Sequence, residues 1–126
     1  MSRFRYFKMS EFTCNCCGSG SKLISKKLIM KLDNMRHELG KPINISSGVR
    51  CIDHNRNVGG AKESSHLCGF AVDILIPDSR YRFEILELAQ KFKINRIGIY
   101  RSFIHLDIDP SKESKLIWYG ASRLGN

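Results

Sequence analysis

The stretch IGIYRSFIHLDI, residues 97–108, decides the class of fold. Ile97 to Tyr100 and Phe103 to Ile108 are rich in β-branched, aliphatic and aromatic residues, and only Arg101-Ser102 separates them. Two strands this close in sequence pair as an antiparallel hairpin. Side chains alternate along a strand, so Phe103, His105 and Asp107 share one face and Ile104, Leu106 and Ile108 the other. The second set is aliphatic core. The first set presents an imidazole and a carboxylate, where a strand that only packs would present generic polar groups.

Working outward, Phe70 to Ile76 reads as a strand closed by Pro77, Ile43 to Ser46 as a strand ended before Gly48, and Leu116 to Tyr119 as a last short strand. From Lys22 to Leu39 the apolar residues Ile24, Leu28, Leu32, Met35 and Leu39 recur at three- and four-residue steps, the signature of an amphipathic helix. Ser19 or Ser21 is placed to cap its start, and Gly40 and Pro42 stop it. Asp78 or Ser79 caps a second helix, with an apolar face of Phe83, Leu86, Ala89 or Gln90, and Phe92 to Ile94. Cys51 to Val58 reads as a short helical turn ended by Gly59-Gly60. These elements predict an α+β domain: a mostly antiparallel sheet flanked by two helices. The 126 residues suffice for one domain, 1–126, with residues 1–20 as an irregular arm anchored by Phe4, Phe7, Met9 and Phe12.

The formal charge is +9, with lysines and arginines spread along the whole chain. A solvated basic surface accounts for that spread. Attraction to a polyanion, nucleic acid or an anionic cell wall, would also use it, but no nucleic-acid motif accompanies the charge. No run of eighteen apolar residues is present, so no transmembrane helix is expected. Met1 to Met9 is basic and aromatic without the apolar run of a signal peptide. The expectation is a monomer made in the cytoplasm without an export route of its own, with neither nucleic acid nor membrane as partner.

Cys14, Cys16 and Cys17 crowd together near Gly18 and Gly20, and Cys51 and Cys68 stand apart. An odd count of five cannot be fully paired within one chain. A structural zinc wants four ligands, usually as spaced pairs, and only Cys51 or Cys68 could complete one from afar. Free thiols or one disulfide are favoured over that second metal site.

Asp73 stands seven residues after His66, inside a strand otherwise made of apolar residues. A carboxylate there is costly to bury unless a cation or an arginine meets it. His105 shows the same oddity. A lone strand histidine is more often a hydrogen-bonded core residue than a ligand. Two histidines and a carboxylate on rigid elements nevertheless match a catalytic zinc centre, which keeps one coordination position for water or substrate. Zinc lowers the pKa of such a water to about 7 and polarises a carbonyl. A nearby carboxylate must then take a proton, and Asp107 is the candidate on this face. His37, on the polar side of the first helix, and His54, in a turn, read as ordinary residues.

Three runs carry a resemblance: Ser47-Gly48-Val49-Arg50; Asn55 followed by Val58-Gly59-Gly60-Ala61; and Ser64-Ser65-His66-Leu67-Cys68-Gly69-Phe70-Ala71-Val72-Asp73-Ile74. With the late Phe103-Ile104-His105-Leu106-Asp107 and Trp118, the chain resembles the zinc D-Ala-D-Ala carboxypeptidase family over about residues 6 to 119, and most of all its compact phage-type branch. That family includes L-alanyl-D-glutamate endolysins and D,D-dipeptidases. The resemblance implies a hedgehog/DD-peptidase-like fold, a Zn2+ cofactor held by His66, Asp73 and His105, and a peptidoglycan peptide as substrate. It implies that Arg50 grips substrate and stabilises the charged intermediate, and that Ser64 contacts substrate. Several relatives place an acidic base three positions before the last histidine, where this chain has Ser102. Asp107 either takes over that role or orients a ligand. The implied reaction is hydrolysis of a terminal D-Ala-D-Ala bond or an internal L-Ala-D-Glu bond, after release to the wall or as part of a phage particle. The alternative is a zinc-containing wall-binding module without hydrolysis, as the hedgehog signalling domain suggests.

Overall fold

The computed structural model describes residues 4–18, 20, 23–61 and 64–120. Five strands form one sheet: β1 Ile45–Ser47, β2 Ala71–Leu75, β3 Arg96–Ile99, β4 Phe103–Asp107 and β5 Leu116–Tyr119. Their order is β1-β2-β4-β3-β5, and every neighbouring pair is antiparallel except the parallel β3 and β5. The expected α+β class and mostly antiparallel sheet are therefore present.

The sheet has two unlike faces. Val72 and Ile74 of β2 lie beside Leu106 and Ile104 of β4, and all four are buried in one aliphatic core with Ile97 of β3. Helices α1 (Lys26–Leu39) and α3 (Ser79–Lys91) cover that core with Leu28, Ile29, Leu32, Met35, Ile85, Leu88 and Ala89. The other face carries Asp73 directly opposite His105, and Ala71 opposite Asp107.

Helix α1 starts at Lys26, later than the apolar pattern predicts. Leu23 and Ile24 form a turn instead, their N–H groups donating to the Gly20 carbonyl at 2.9 and 3.2 Å. The cap is Ser25, whose hydroxyl accepts from the Leu28 N–H; Ser19, Ser21 and Lys22 lie outside the described residues. Gly40 ends the helix in the left-handed region at φ 70°, which favours glycine. Helix α3 is capped by Asp78 as expected, but its buried stripe is Tyr81, Ile85, Leu88 and Ala89, and Phe83 is 67% exposed. The two stripes share helical spacing. Tyr81 enters the core because its hydroxyl finds a partner there, donating to the Pro42 carbonyl at 2.8 Å.

The arm is a short turn of 3-10 helix, Met9–Phe12, with Phe4, Phe7 and Phe12 buried. The Val49 N–H donates to the Phe12 carbonyl at 2.8 Å. Gly48 is required beside it, because a Cβ there would collide with the Phe12 backbone.

Candidate metal centre

His66 comes from the turn before β2. Gly69 closes that turn at φ 76°, and a Cβ on it would collide with the Leu23 carbonyl, so the turn is pressed against the entry to α1. One imidazole nitrogen, Nδ1, sits 2.7 Å from the Gly48 carbonyl and donates to it, which leaves Nε2 facing Asp73 Oδ1 at 3.2 Å. His105 is oriented the opposite way round. Its Nε2 donates to Asp107 Oδ2 at 2.6 Å, and its Nδ1 lies 3.1 Å from the same Asp73 oxygen. Each ring thus has one nitrogen tied to a fixed acceptor and the other turned inward, as metal-binding histidines require.

The three inward atoms lie within 4.8 Å of one another. Ligands about 2.0–2.1 Å from a tetrahedral zinc stand about 3.3 Å apart, close to the spacings seen. His66 and Asp73 are almost fully buried, and His105 is partly so. Burial pushes the His66 pKa down, outweighing the opposing pull of Asp73, and so keeps its imidazole neutral. Burial also opposes ionisation of Asp73, but the His105 and His66 imidazoles beside it outweigh that and hold the carboxyl well below its usual range. For His105, burial lowers the pKa, but the hydrogen bonds to Asp107 and Asp73 win and raise it. A buried anionic carboxylate between two imidazoles is a donor set that fits zinc.

Arg50 joins this cluster. Its guanidinium donates from Nη2 to Asp73 Oδ2 at 3.0 Å, from Nε to Ser47 Oγ at 3.1 Å and from Nη1 to Asn55 Oδ1 at 3.2 Å. The two oxygens of Asp73 are therefore divided, one toward the histidines and one toward Arg50. Buried Asn55 is itself held by donation from Nδ2 to the Ala61 carbonyl at 2.8 Å. A Cβ on Gly60 would strike Asn55, which gives the Val58-Gly59-Gly60-Ala61 run a physical reason.

Asp107 is buried and occupied at both oxygens. Oδ2 accepts from His105, and Oδ1 accepts from Arg96 Nε at 2.8 Å and from the Asp109 N–H at 3.1 Å. Ser64 lines the cleft, its Oγ accepting from the His66 N–H at 3.2 Å. Ser102 lies elsewhere, in a groove with Pro42, Ile76, Pro77 and Tyr81. The metal-facing cleft measures about 440 Å3 and is walled further by Tyr100, Lys112 and Trp118. The Trp118 indole packs on Gly98, where a Cβ would meet the ring at 2.8 Å, and its centroid lies 5.5 Å from that of His105.

The sequence patterns point to His66, Asp73, His105, Arg50, Ser64 and Asp107, and the fold brings all six to this cleft. Arg96 escapes such reading, and Asn55 is part of the motif but has no role assigned by it. Arg96 lies one residue before the expected strand start, yet β3 includes it and sets it opposite Asp107. His37 is engaged by the Tyr6 hydroxyl at 2.9 Å.

The cysteines converge more than expected. Cys14, Cys16, Cys17 and Cys51 present sulfur atoms within 4.8 Å of one another, none in a disulfide, and Cys68 is outside this group. Burial pushes the Cys14 thiol up, but hydrogen bonds from Cys51 and Cys16 outweigh it and bring the pKa down to about 6. Thiol contacts with Cys51 and Cys14 push Cys16 up to about 12.

A family model described as Peptidase M15 matches residues 5–107 of the chain. A zinc D-Ala-D-Ala carboxypeptidase of Streptomyces albus G is 37% identical over 79 residues, covering 56% of this chain and 30% of the relative. The chain thus aligns with less than a third of that protein's length.

Proposed function

This chain belongs to the peptidase M15 family, and from that premise we propose that it is a zinc-dependent peptidase cutting the stem peptides of bacterial peptidoglycan beside a D-amino acid. The observation that carries the reading is the convergence of His66 Nε2, Asp73 and His105 Nδ1 on one point at the floor of an open cleft. Zinc, when bound there, supplies an acidified water and polarises the scissile carbonyl. The remaining work falls to the chain's own side chains. Gly48 and Asp107 hold the two imidazoles in the tautomers that face inward. Arg50, braced by Ser47 and Asn55, steadies Asp73 and offers a planar cation to a substrate carboxylate or a developing oxyanion. Ser64 offers a hydroxyl to the substrate backbone. Of the two roles open to Asp107, its hydrogen bonds favour orienting His105 over accepting a proton.

Two bonds fit this arrangement. The Streptomyces relative's name supports the terminal D-Ala-D-Ala bond. The Phe103-Ile104-His105-Leu106-Asp107 run with Trp118, which resembles the compact phage-type branch, supports the internal L-Ala-D-Glu bond and an endolysin-like role. In both, the D-residue on the leaving side carries a free carboxylate, which suits Arg50. The +9 charge suits adhesion to anionic wall polymers.

Mass spectrometry of muropeptides incubated with the zinc-loaded protein tests the reading. Loss of one alanine marks the carboxypeptidase, and separation of the stem after its first alanine marks the endopeptidase. A chelator abolishes either. Wall binding by zinc-loaded protein that leaves every muropeptide intact would instead support the non-hydrolytic binding module.

A further inference from the structure

The cysteine cluster lies outside the catalytic cleft, and hydrolysis makes no use of it. We propose that Cys14, Cys16, Cys17 and Cys51 bind a second, structural zinc ion that clamps the N-terminal arm to the loop carrying Arg50.

The four sulfurs come from two distant places. Three stand in four residues of the arm, and Cys51 is the N-cap of helix α2 (Ile52–Asn57), 35 positions beyond Cys16. Cys16 Sγ lies 3.4 Å from both Cys14 Sγ and Cys51 Sγ. Sulfurs about 2.3 Å from a tetrahedral zinc stand about 3.8 Å apart, so the four need only small adjustments to enclose an ion. A disulfide would use two of the thiols and leave the other two crowded against it. Backbone donors already face the sulfurs: the Cys51 N–H donates to Cys14 Sγ at 3.4 Å, and the His54 N–H to Cys51 Sγ at 3.3 Å. Donors of this kind disperse the negative charge that four thiolates bring to one ion. Four sulfurs complete a tetrahedron, so this centre keeps no position for water and its role is structural.

The placement shows what the clamp holds. Phe12, two residues before Cys14, accepts the Val49 N–H through its carbonyl. Gly48, next to Val49, accepts from His66; Arg50, on the other side, binds Asp73. The segment Gly48–Cys51 thus joins the sulfur cluster to two ligands of the catalytic centre.

Metal analysis of the full chain, purified with zinc and a thiol reductant, tests the proposal. Two zinc ions per chain are expected, falling to one in Cys51→Ser and to one in His66→Ala. X-ray absorption of His66→Ala should show an all-sulfur shell around the remaining zinc. Cobalt substitution of the same variant should give a strong thiolate-to-cobalt charge-transfer band, absent in Cys51→Ser. If Cys51→Ser fails to fold, His66→Ala decides alone, because its sulfur cluster is intact. A His66→Ala protein that retains no metal, or holds it without sulfur, overturns the proposal. So does a disulfide between any two of the four found in protein isolated without reductant and stable in the presence of zinc.

Discussion

His66, Asp73 and His105 stand on a sheet and the turn that enters it, whereas Cys14, Cys16, Cys17 and Cys51 stand on an irregular arm and one short helix start. In the first cluster, strand pairing fixes the geometry: Asp73 faces His105 because β2 and β4 are in register, and Gly48 and Asp107 lock the rings. In the second, no strand pairing among the described residues holds the arm, and the sulfurs are placed by the Cys51 and His54 N–H groups that donate to them and by the Val49 N–H that donates to Phe12. A centre that keeps a position open serves chemistry, and the proposed all-sulfur centre, closed on every side, serves stability.

That contrast breaks most visibly at His66. His66→Ala should cut muropeptide hydrolysis on the order of 10³-fold or more, the scale of losing several kcal/mol of charge stabilisation. The thermal melt of the reduced, zinc-loaded protein should keep its cooperative shape, because strand pairing and the aliphatic core order the sheet. A variant that unfolds instead would make the two centres alike. Next comes Arg50→Lys, which keeps the charge but loses the fork that engages Ser47, Asn55 and Asp73 together. A fall of about 10²-fold in kcat/KM is expected, on the scale of one lost oxyanion donor.

Asp107→Asn sharpens the account of the preformed centre. The single amide oxygen can accept from His105 Nε2 or from Arg96 and the Asp109 N–H, not from both sides, so zinc affinity should drop about 10- to 100-fold while kcat at saturating zinc stays near the parent value. A kcat that remains depressed by about 10²-fold or more with zinc bound would assign proton transfer to Asp107 instead. The smallest effect belongs to the aliphatic side. Phe83→Ser should change stability by no more than about 0.5 kcal/mol in denaturant unfolding, because Phe83 is exposed on α3. A loss of about 2 kcal/mol or more would return Phe83 to the core.

Much of the sheet was legible from alternation alone. Ile104 and Leu106 inward, with Phe103, His105 and Asp107 outward, is a two-residue period that only one register satisfies. Asp73 announced itself as a charge in an apolar strand. Helix faces were less legible, since Tyr81-Ile85-Leu88 and the stripe begun by Phe83 satisfy similar periods, and the Pro42 carbonyl that receives Tyr81 is distant in sequence. Arg96, and the role of the motif residue Asn55, were hidden for the same reason: their partners, Asp107 and Arg50, become neighbours only through strand pairing and a turn. The sulfur cluster was the least legible. Its C-x-C-C spacing departs from the usual spaced pairs, and its fourth member arrives through tertiary contact of the arm with the Gly48–Cys51 segment.

Anomalous X-ray diffraction at the zinc edge, from crystals of the zinc-loaded protein, tests the central claim most directly. The account predicts a peak in the cleft, about 2.0–2.2 Å from His66 Nε2, an Asp73 carboxylate oxygen and His105 Nδ1 together. A cleft peak bound by one of these side chains alone, or either imidazole rotated away from Asp73 with zinc present, would contradict it.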